Sequence, residues 1–445
     1  MSGEAPRFGY FYSLGVKDSL CFGPAQTLEL HDDEGRVAKW TVILGDNGVG
    51  KTSLLQCLYA VGPWAKPNLE PGDLYGTLTR SASWSNWPGR TRRTPFEALS
   101  RAGAAPELRA NVSIDTPLGR PLQRWLRVGQ AWGTHGPRGS QHPDIDFTMF
   151  ICGYGAGRKP GSAVLAESNV DDDAATLFDE RATLLGAEEW FLQSDYAAKS
   201  LATEDARVRA EAIRETLIDL LPDVEELEVV GLDRQPPRPA LSARTPYGWV
   251  SVGELSLGYR TLMAWVIDFA ARMFARYPDS KNPLTEPAVC LVDEIDLHLH
   301  PTWQRKLIAF LDQRFTNTQF IVTAHSPLVV QAAEHANIAV LRRHEGEDFV
   351  TIHNDLDAVR GWRVDQILTS DLFGLDGSRA PRANELLRER ATLLGKSTLE
   401  DADRRRIAEL DEQLASLPHG DSKTDQDAWD IVRRFAQEIE RAGHG

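Results

Sequence analysis

The chain has 445 residues, 42% hydrophobic and 25% charged, which is enough for one large core or two to three smaller ones and ordinary for a globular protein. Its formal net charge of −15 excludes non-specific attraction to nucleic acid over the surface as a whole, so any nucleic-acid contact needs a local basic patch or a basic partner. No apolar run reaches membrane-spanning length, the start lacks the basic and apolar regions of a secretory signal, and Cys21, Cys57, Cys152 and Cys290 are scattered without a Cys-x-x-Cys, so the expectation is a cytoplasmic protein with no membrane association.

Residues 8–44 read as strands and turns: Thr27–Leu30 alternates apolar and polar, and Val37–Leu44 leads into a buried strand. Gly45-Asp46-Asn47-Gly48-Val49-Gly50-Lys51-Thr52 follows, then a helix from Ser53 to Ala60. The octet matches G-x-x-x-x-G-K-[ST] in full, with a strand before it and a helix after it. In such a loop the glycines turn the backbone N–H groups inward onto phosphate oxygens, Lys51 brings a point charge to the terminal phosphates, and the Thr52 hydroxyl stands where Mg²⁺ belongs. Gly45 to Ser53 are therefore the candidate nucleotide-binding residues, with ATP as the nucleotide.

From Gly62 to about Gln141 the pattern is of short strands and long loops, an antiparallel β subdomain with an insertion, and only Pro95–Leu108 has helical periodicity. Arg90, Arg92, Arg93, Arg101, Arg120, Arg124 and Arg127 interleave there with Trp84, Trp87, Trp125 and Trp132, which suits either a single-stranded nucleic acid or an edge facing a partner. Phe147–Cys152 reads as a buried strand running into Gly153-Tyr-Gly-Ala-Gly-Arg158. Residues 172–221 are helical, with Trp190, Phe191, Tyr196 and Ala197 on one face and Ile213, Leu217, Leu220 and Leu221 on another. Val224–Leu232 and Tyr247–Val252 are strands flanking a turn at Pro236–Pro239.

Leu255-Ser256-Leu-Gly258-Tyr-Arg260 opens an apolar helix to about Tyr277, and a Ser hydroxyl with a Gly N–H at a helix start makes an anion site. The run Ala288–Val292 is a strand buried on both faces, and it ends in Asp293 and Glu294. Carboxylates there are costly unless a cation meets them, and with a P-loop in the chain that cation is Mg²⁺ on a nucleotide, although such a pair can also cap a helix start. Asp293 is then the second metal residue beside Thr52, and Glu294 is placed to polarise the attacking water. His325 stands at the end of the next strand, Gln319–Thr323, as a γ-phosphate sensor. Asp296, His298 and His300 form an incomplete ligand set and are read as shaping the loop or meeting another subunit. From Gly377 the chain is helical: Ser397–Glu400 has a capping-box pattern, and stripes at Ile407, Leu410, Leu414, Leu417 and at Trp429, Val432, Phe435, Ile439 suggest a hairpin for oligomerisation or partner docking.

The order of P-loop, L-S-x-G-x-R, D-E-x-D-x-H-L-H-P and T-A-H-S-P over residues 8–376 resembles the ABC-type ATPases of the SMC/RecF/OLD group. The run Asp293–Gln304, the Tyr154–Arg158 segment and the helical tail look like the stand-alone phage-defence ATPases of the Septu and retron systems, the PtuA-type family, which works with an HNH nuclease. The resemblance implies an α/β P-loop NTPase fold, an ABC-type head divided as 1–165 (P-loop lobe with β-rich insertion), 166–245 (helical lobe), 246–376 (signature, acidic strand and His325) and 377–445 (C-terminal hairpin). It implies ATP and Mg²⁺ as ligands, Glu294, His325 and Lys51 as catalytic residues, and Ser256 and Gly258 completing a second subunit's site, hence a homodimer or higher homo-oligomer. It further implies control of a nuclease effector, with nucleic acid reached through that partner. A DNA repair or DNA-clamp ATPase, and an ATP-stabilised scaffold with little turnover, are the alternatives. The chain departs from the pattern in lacking a clear Q-loop glutamine, for which Tyr154 or Arg158 are the available substitutes, in lacking a long heptad run, and in lacking an OLD-type acidic nuclease constellation. Glu409 and Glu412 read as solvated helix faces.

Overall fold

The computed structural model describes residues 7–61, 101, 107–114, 122–128, 147–160, 173–201, 203–221, 224–232, 238–254, 257–344, 346–354, 361–370, 372–375, 379–396 and 400–414. It divides into two units, Met1–Val364 and Asp365–Gly445.

The first unit is built on a six-stranded sheet in the order Val350–His353, Asn337–Arg343, Trp40–Gly45, Thr318–Thr323, Ala288–Val292 and Ile151–Tyr154. Every neighbouring pair is parallel except the outermost, Val350–His353 against Asn337–Arg343. Parallel strands are covered on both faces, so they carry continuous apolar runs, and Ala288–Val292 is buried at every position. The P-loop strand and the acidic strand are not neighbours, because Thr318–Thr323 lies between them. Their registers bring Gly45, Thr323 and Val292 to the same edge, where α/β folds bind ligands.

A second sheet is antiparallel, with Gln26–Glu29, Arg7–Lys17, Glu107–Ile114 and Leu122–Val128 in that order and Phe147–Thr148 alongside Arg7–Phe8. Glu107–Ile114 and Leu122–Val128 lie in the stretch expected to be antiparallel, whereas Arg7–Lys17 and Gln26–Glu29 come from before the P-loop. Leu108, assigned by periodicity to the end of a helix, lies instead in the Glu107–Ile114 strand, where eight pairings with Arg7–Lys17 decide its conformation. The two sheets are joined by the buried Gln319 side chain, whose amide accepts from Phe11 N at 2.9 Å and donates to Phe11 O at 2.7 Å, completing backbone pairing across the junction.

The helical lobe is the pair Ala187–Leu201 and Glu204–Leu220. Thr203 caps the second helix by accepting from Ala206 N, and Glu204 and Asp205 complement the N-terminal dipole. Trp190, Phe191, Ile213, Leu217 and Leu220 are buried as expected. Tyr196 is not: it is 65% exposed, since periodicity alone does not say where a buried stripe ends. A strand the sequence pattern passed over, Arg238–Thr245, pairs with both Glu226–Leu232 and Gly248–Ser251. Its first two residues, Arg238 and Pro239, fall in the stretch expected to be a turn.

The Leu257–Arg276 helix is buried on all sides from Leu262 to Ala270. Its polar residues are consequently paired. Asp268 accepts from Tyr154 Oη at 2.9 Å, from Leu185 N at 3.0 Å and from Arg272 Nε at 2.6 Å, and Arg272 Nη1 continues to Asp173 at 2.7 Å. This network fastens the helix to the end of the Ile151–Tyr154 strand.

In the second unit, the helices Pro381–Leu394 and Asp401–Leu414 form a pair held by two-point contact between Arg406 and Glu389 (2.7 and 3.0 Å) and by Arg390 with Asp411, with Leu410 buried. Residues 397–399 of the capping box and the stripe from Trp429 to Ile439 lie outside the described residues.

Arg272→Met removes the cation that Asp268 is paired with, and removal of one partner from a buried pair costs about 3–5 kcal/mol. The urea midpoint of the full chain is expected to fall accordingly; a change below about 1 kcal/mol would show that the network does not hold this helix.

Candidate functional site

The P-loop is shaped by two glycines whose positions admit nothing larger. Gly45, at φ +145°, ends its strand where an added Cβ would lie 2.6 Å from Leu341 O. Gly50, at φ +90°, closes the loop where a Cβ would lie 2.1 Å from Cys21 Sγ. Asp46, Asn47 and Gly48 form the exposed crest between them, Val49 is buried beneath it, and the helix Lys51–Val61 begins immediately after. Lys51 is 6% exposed, and its Nζ donates to Gly45 O and Asp46 O, both at 2.8 Å, so its charge is held under the loop. Burial draws its ammonium below the ordinary value, against the opposing pull of Asp293, Glu294, Asp46 and Asp296. Ser53 follows Thr52 in the first turn of the helix.

Asp293 is 3% exposed, and its two oxygens are taken by hydroxyls from two different elements. Thr52 Oγ1 donates to Oδ2 at 2.6 Å, and Thr323 Oγ1 donates to Oδ1 at 2.7 Å. Thr52 and Asp293, separated by most of the chain, are thereby brought together. A hard divalent cation takes hydroxyl and carboxylate oxygens, so the donor set fits Mg²⁺. Thr323 escaped sequence reasoning; its signal was its place at the end of the strand between the two motif strands.

Glu294 is half-buried and has φ +48°, a left-handed conformation that a non-glycine residue adopts only under constraint. Its N–H donates to Thr323 Oγ1 at 2.7 Å, and its carbonyl accepts from Arg158 Nη2 at 2.6 Å and from Leu297 N at 3.0 Å. Asp296 accepts from His325 N at 3.0 Å, which fixes the backbone of that exposed histidine relative to the acidic run. Ser326 caps the short helix Pro327–Ala332 and donates to Gln304 Oε1 at 2.6 Å, while Gln304 Nε2 donates to Leu299 O at 3.0 Å. His300 caps Pro301–Arg314 by accepting from Thr302 N, and His298 sits exposed at φ +62°. Asp296 and His300 thus shape the loop, and among the described residues no group of three or more His, Cys, Asp or Glu is placed to hold a metal.

Gly258 lies in the first turn of Leu257–Arg276, and Ser256 lies outside the described residues. Of the basic and aromatic residues considered for nucleic acid, Arg90, Arg92, Arg93, Arg120, Trp84, Trp87 and Trp132 also lie outside them, as do the side chains of Arg124, Trp125 and Arg127. Arg101 is a structural tie, donating to Cys21 O at 3.1 Å and to Asp348 O at 2.8 Å.

A parallel sheet with a P-loop leading into a helix, and an acidic strand one place removed from it, is a P-loop NTPase fold with a mixed α/β architecture. The sequence comparisons agree. Residues 156–331 match the family described as "AAA domain, putative AbiEii toxin, Type IV TA system". The chain is similar to "Septu protein PtuA" of Bacillus mycoides (strain KBAB4), 26% identical over 381 residues that cover 85% of this chain and 46% of that one. It is also similar to "Retron Ec83 probable ATPase" of Escherichia coli, 40% identical over 118 residues covering 26% of this chain and 21% of that one. These are names from the Septu and retron systems that the motifs resemble. The chain spans less than half the length of these curated relatives. Among solved structures it is similar to the SMC head domain from Thermotoga maritima, at 13% identity and a TM-score of 0.36, covering 79% of this chain and 100% of that one. No helix among the described residues is long and apolar enough to cross a membrane.

Gly50→Ala places a side chain at φ +90° against Cys21 Sγ. Affinity for a fluorescent ATP analogue is expected to fall at least about tenfold, equivalent to about 1.4 kcal/mol, by titration. Retained affinity would mean that the loop does not close around nucleotide in this shape.

Proposed function

We propose that the protein is an ABC-type ATPase that hydrolyses ATP, dimerises around it, and controls an associated effector, a nuclease in antiphage defence. The observation that carries this reading is the Asp293 carboxylate held between Thr52 and Thr323 beside the P-loop lysine. Thr52 and Asp293 hold Mg²⁺, which when bound neutralises phosphate charge. Lys51 and the N–H groups of Gly45 to Thr52, with Ser53 behind them, bind the phosphates. Glu294 orients water and takes its proton, and His325 reports the terminal phosphate. Ser256 and Gly258 are presented to the nucleotide of a second copy, which makes the active unit a homodimer or higher homo-oligomer.

The likeness to a Septu PtuA and a retron ATPase supports the defence setting. An HNH-type nuclease is the favoured effector, and nucleic acid is reached through it rather than by this acidic chain alone.

Glu294→Gln is expected to lower kcat by about 100-fold or more while ATP still binds, and to accumulate ATP-bound dimers seen by light scattering. Turnover within about twofold of the parent would rule out hydrolysis through Glu294. Ser256→Arg is expected to abolish ATP-dependent dimerisation while leaving monomer affinity for ATP within about threefold, since the residue acts on the other subunit's nucleotide. Dimers that still form on ATP addition would remove the signature from the interface.

A further inference from the structure

Among the described residues, the buried arginine behind the acidic strand makes no ion pair with a carboxylate. Arg158 is 4% exposed, and a guanidinium placed out of water is costly unless its charge and N–H groups are met. Structural arginines in such places usually face a carboxylate at two points. Arg158 does not. Its Nη2 donates to the Glu294 carbonyl at 2.6 Å, and among the described residues its Nε and Nη1 have no hydrogen-bond partner. The charges that act on it are Asp293, Glu294 and Asp296; burial nevertheless pulls the guanidinium down to about 10.

Its partner is a residue whose backbone is strained. Glu294 stands at φ +48°, a conformation that costs of order 1–3 kcal/mol for a residue with a Cβ and persists only where its surroundings impose it. The constraint comes from both of its peptide groups. Thr323 Oγ1 receives the N–H at 2.7 Å, and Arg158 and the Leu297 N–H occupy the carbonyl.

Arg158 is itself delivered by an anchored segment. Tyr154 at its start accepts Asp293 N at its carbonyl (2.7 Å) and donates its hydroxyl to Asp268. Gly155 passes so close to the chain that an added Cβ would lie 2.0 Å from Thr176 O, and its N–H donates to Thr176 Oγ1 at 3.3 Å. The segment therefore passes tightly against its neighbours on the way from the strand end to Arg158.

We propose that Arg158 is a positioning residue for hydrolysis: it fixes the backbone turn at Glu294, and through that turn the direction of the Glu294 carboxylate, without touching the substrate. This assignment rests on the hydrolytic reading of Glu294 above. It explains why the site spends a buried cation on a carbonyl. The peptide group it holds is the one that sets where the following chain goes after the strained residue, and Asp293, Glu294 and Asp296 are the charges that act on the cation.

The test is a double-variant cycle on the full chain, with kcat and KM for ATP measured for the parent, Arg158→Met, Arg158→Gln, Glu294→Gln and the combined variants. Arg158→Met is expected to lower kcat at least about thirtyfold with KM changed by less than about threefold, because the nucleotide is bound by other residues. In the Glu294→Gln background the same substitution is expected to lower the residual rate by less than about threefold, because the group through which it acts is already disabled. Arg158→Gln keeps an amide N–H donor group and is expected to retain part of the rate; should Arg158→Met fail to fold, the Gln variant carries the same cycle. A kcat within about threefold of the parent in the substituted protein, or a loss that multiplies in full onto Glu294→Gln, overturns the assignment. If Glu294→Gln itself leaves turnover intact, the hydrolytic reading falls and this one with it. If Glu294→Gln abolishes turnover and neither Arg158 variant lowers it, only the role of Arg158 falls.

Discussion

The site depends on one carboxylate with two hydroxyls. Asp293 ends a strand that is buried at all five positions, and it is 3% exposed itself. An ionised group there must be met by donors or a cation. Thr52, from the first turn of the P-loop helix, and Thr323, from the end of the intervening strand, meet its two oxygens at 2.6 and 2.7 Å. The consequence is geometric as much as electrostatic. Two loops that leave different strands are set in register by one side chain, and Thr323 then uses its oxygen again to receive the N–H of Glu294. A single threonine thus coordinates the placement of a metal-binding candidate and of a water-activating one.

Around that centre the polar residues mostly work on the backbone. Asp296 holds His325 N, Gln304 bridges Leu299 O and Ser326, and His300 caps the helix that follows. The chain needs this support because it turns through left-handed conformations twice in five residues, at Glu294 and His298, without a glycine at either place. Asp296 and His300, an incomplete ligand set in the sequence, make backbone contacts that support this turn. Strain of this kind clusters at functional sites, and here it falls on the residue proposed to orient water.

A second buried network reaches the same turn from the other side. Asp268 and Arg272 on the Leu257–Arg276 helix meet Tyr154, whose carbonyl accepts Asp293 N and whose segment ends in Arg158. The Leu257–Arg276 helix is therefore joined, through these side chains, to the backbone of the acidic pair. The residues offered in place of a Q-loop glutamine turn out to have separate attachments, Tyr154 to the helix and Arg158 to the Glu294 carbonyl.

How much of this was legible follows from the range over which each signal acts. The P-loop, the buried acidic strand and the apolar helix faces at Trp190 and Phe191 and at Ile213, Leu217 and Leu220 were readable because local periodicity and short motifs specify them. Leu108 and Pro239 were misassigned because strand pairing overrode the local pattern, and Tyr196 because amphipathic spacing gives a face but not its limits. Sequence alone determined that a nucleotide-binding loop and a carboxylate pair exist in one chain, since each is a contiguous string whose chemistry is fixed by residue type and spacing. Only the tertiary structure decided that a third strand stands between them, that Thr323 closes the gap, and that Arg158 is spent on the Glu294 carbonyl. Those choices depend on which strands become neighbours and which buried polar groups must then satisfy one another, and no local pattern encodes that.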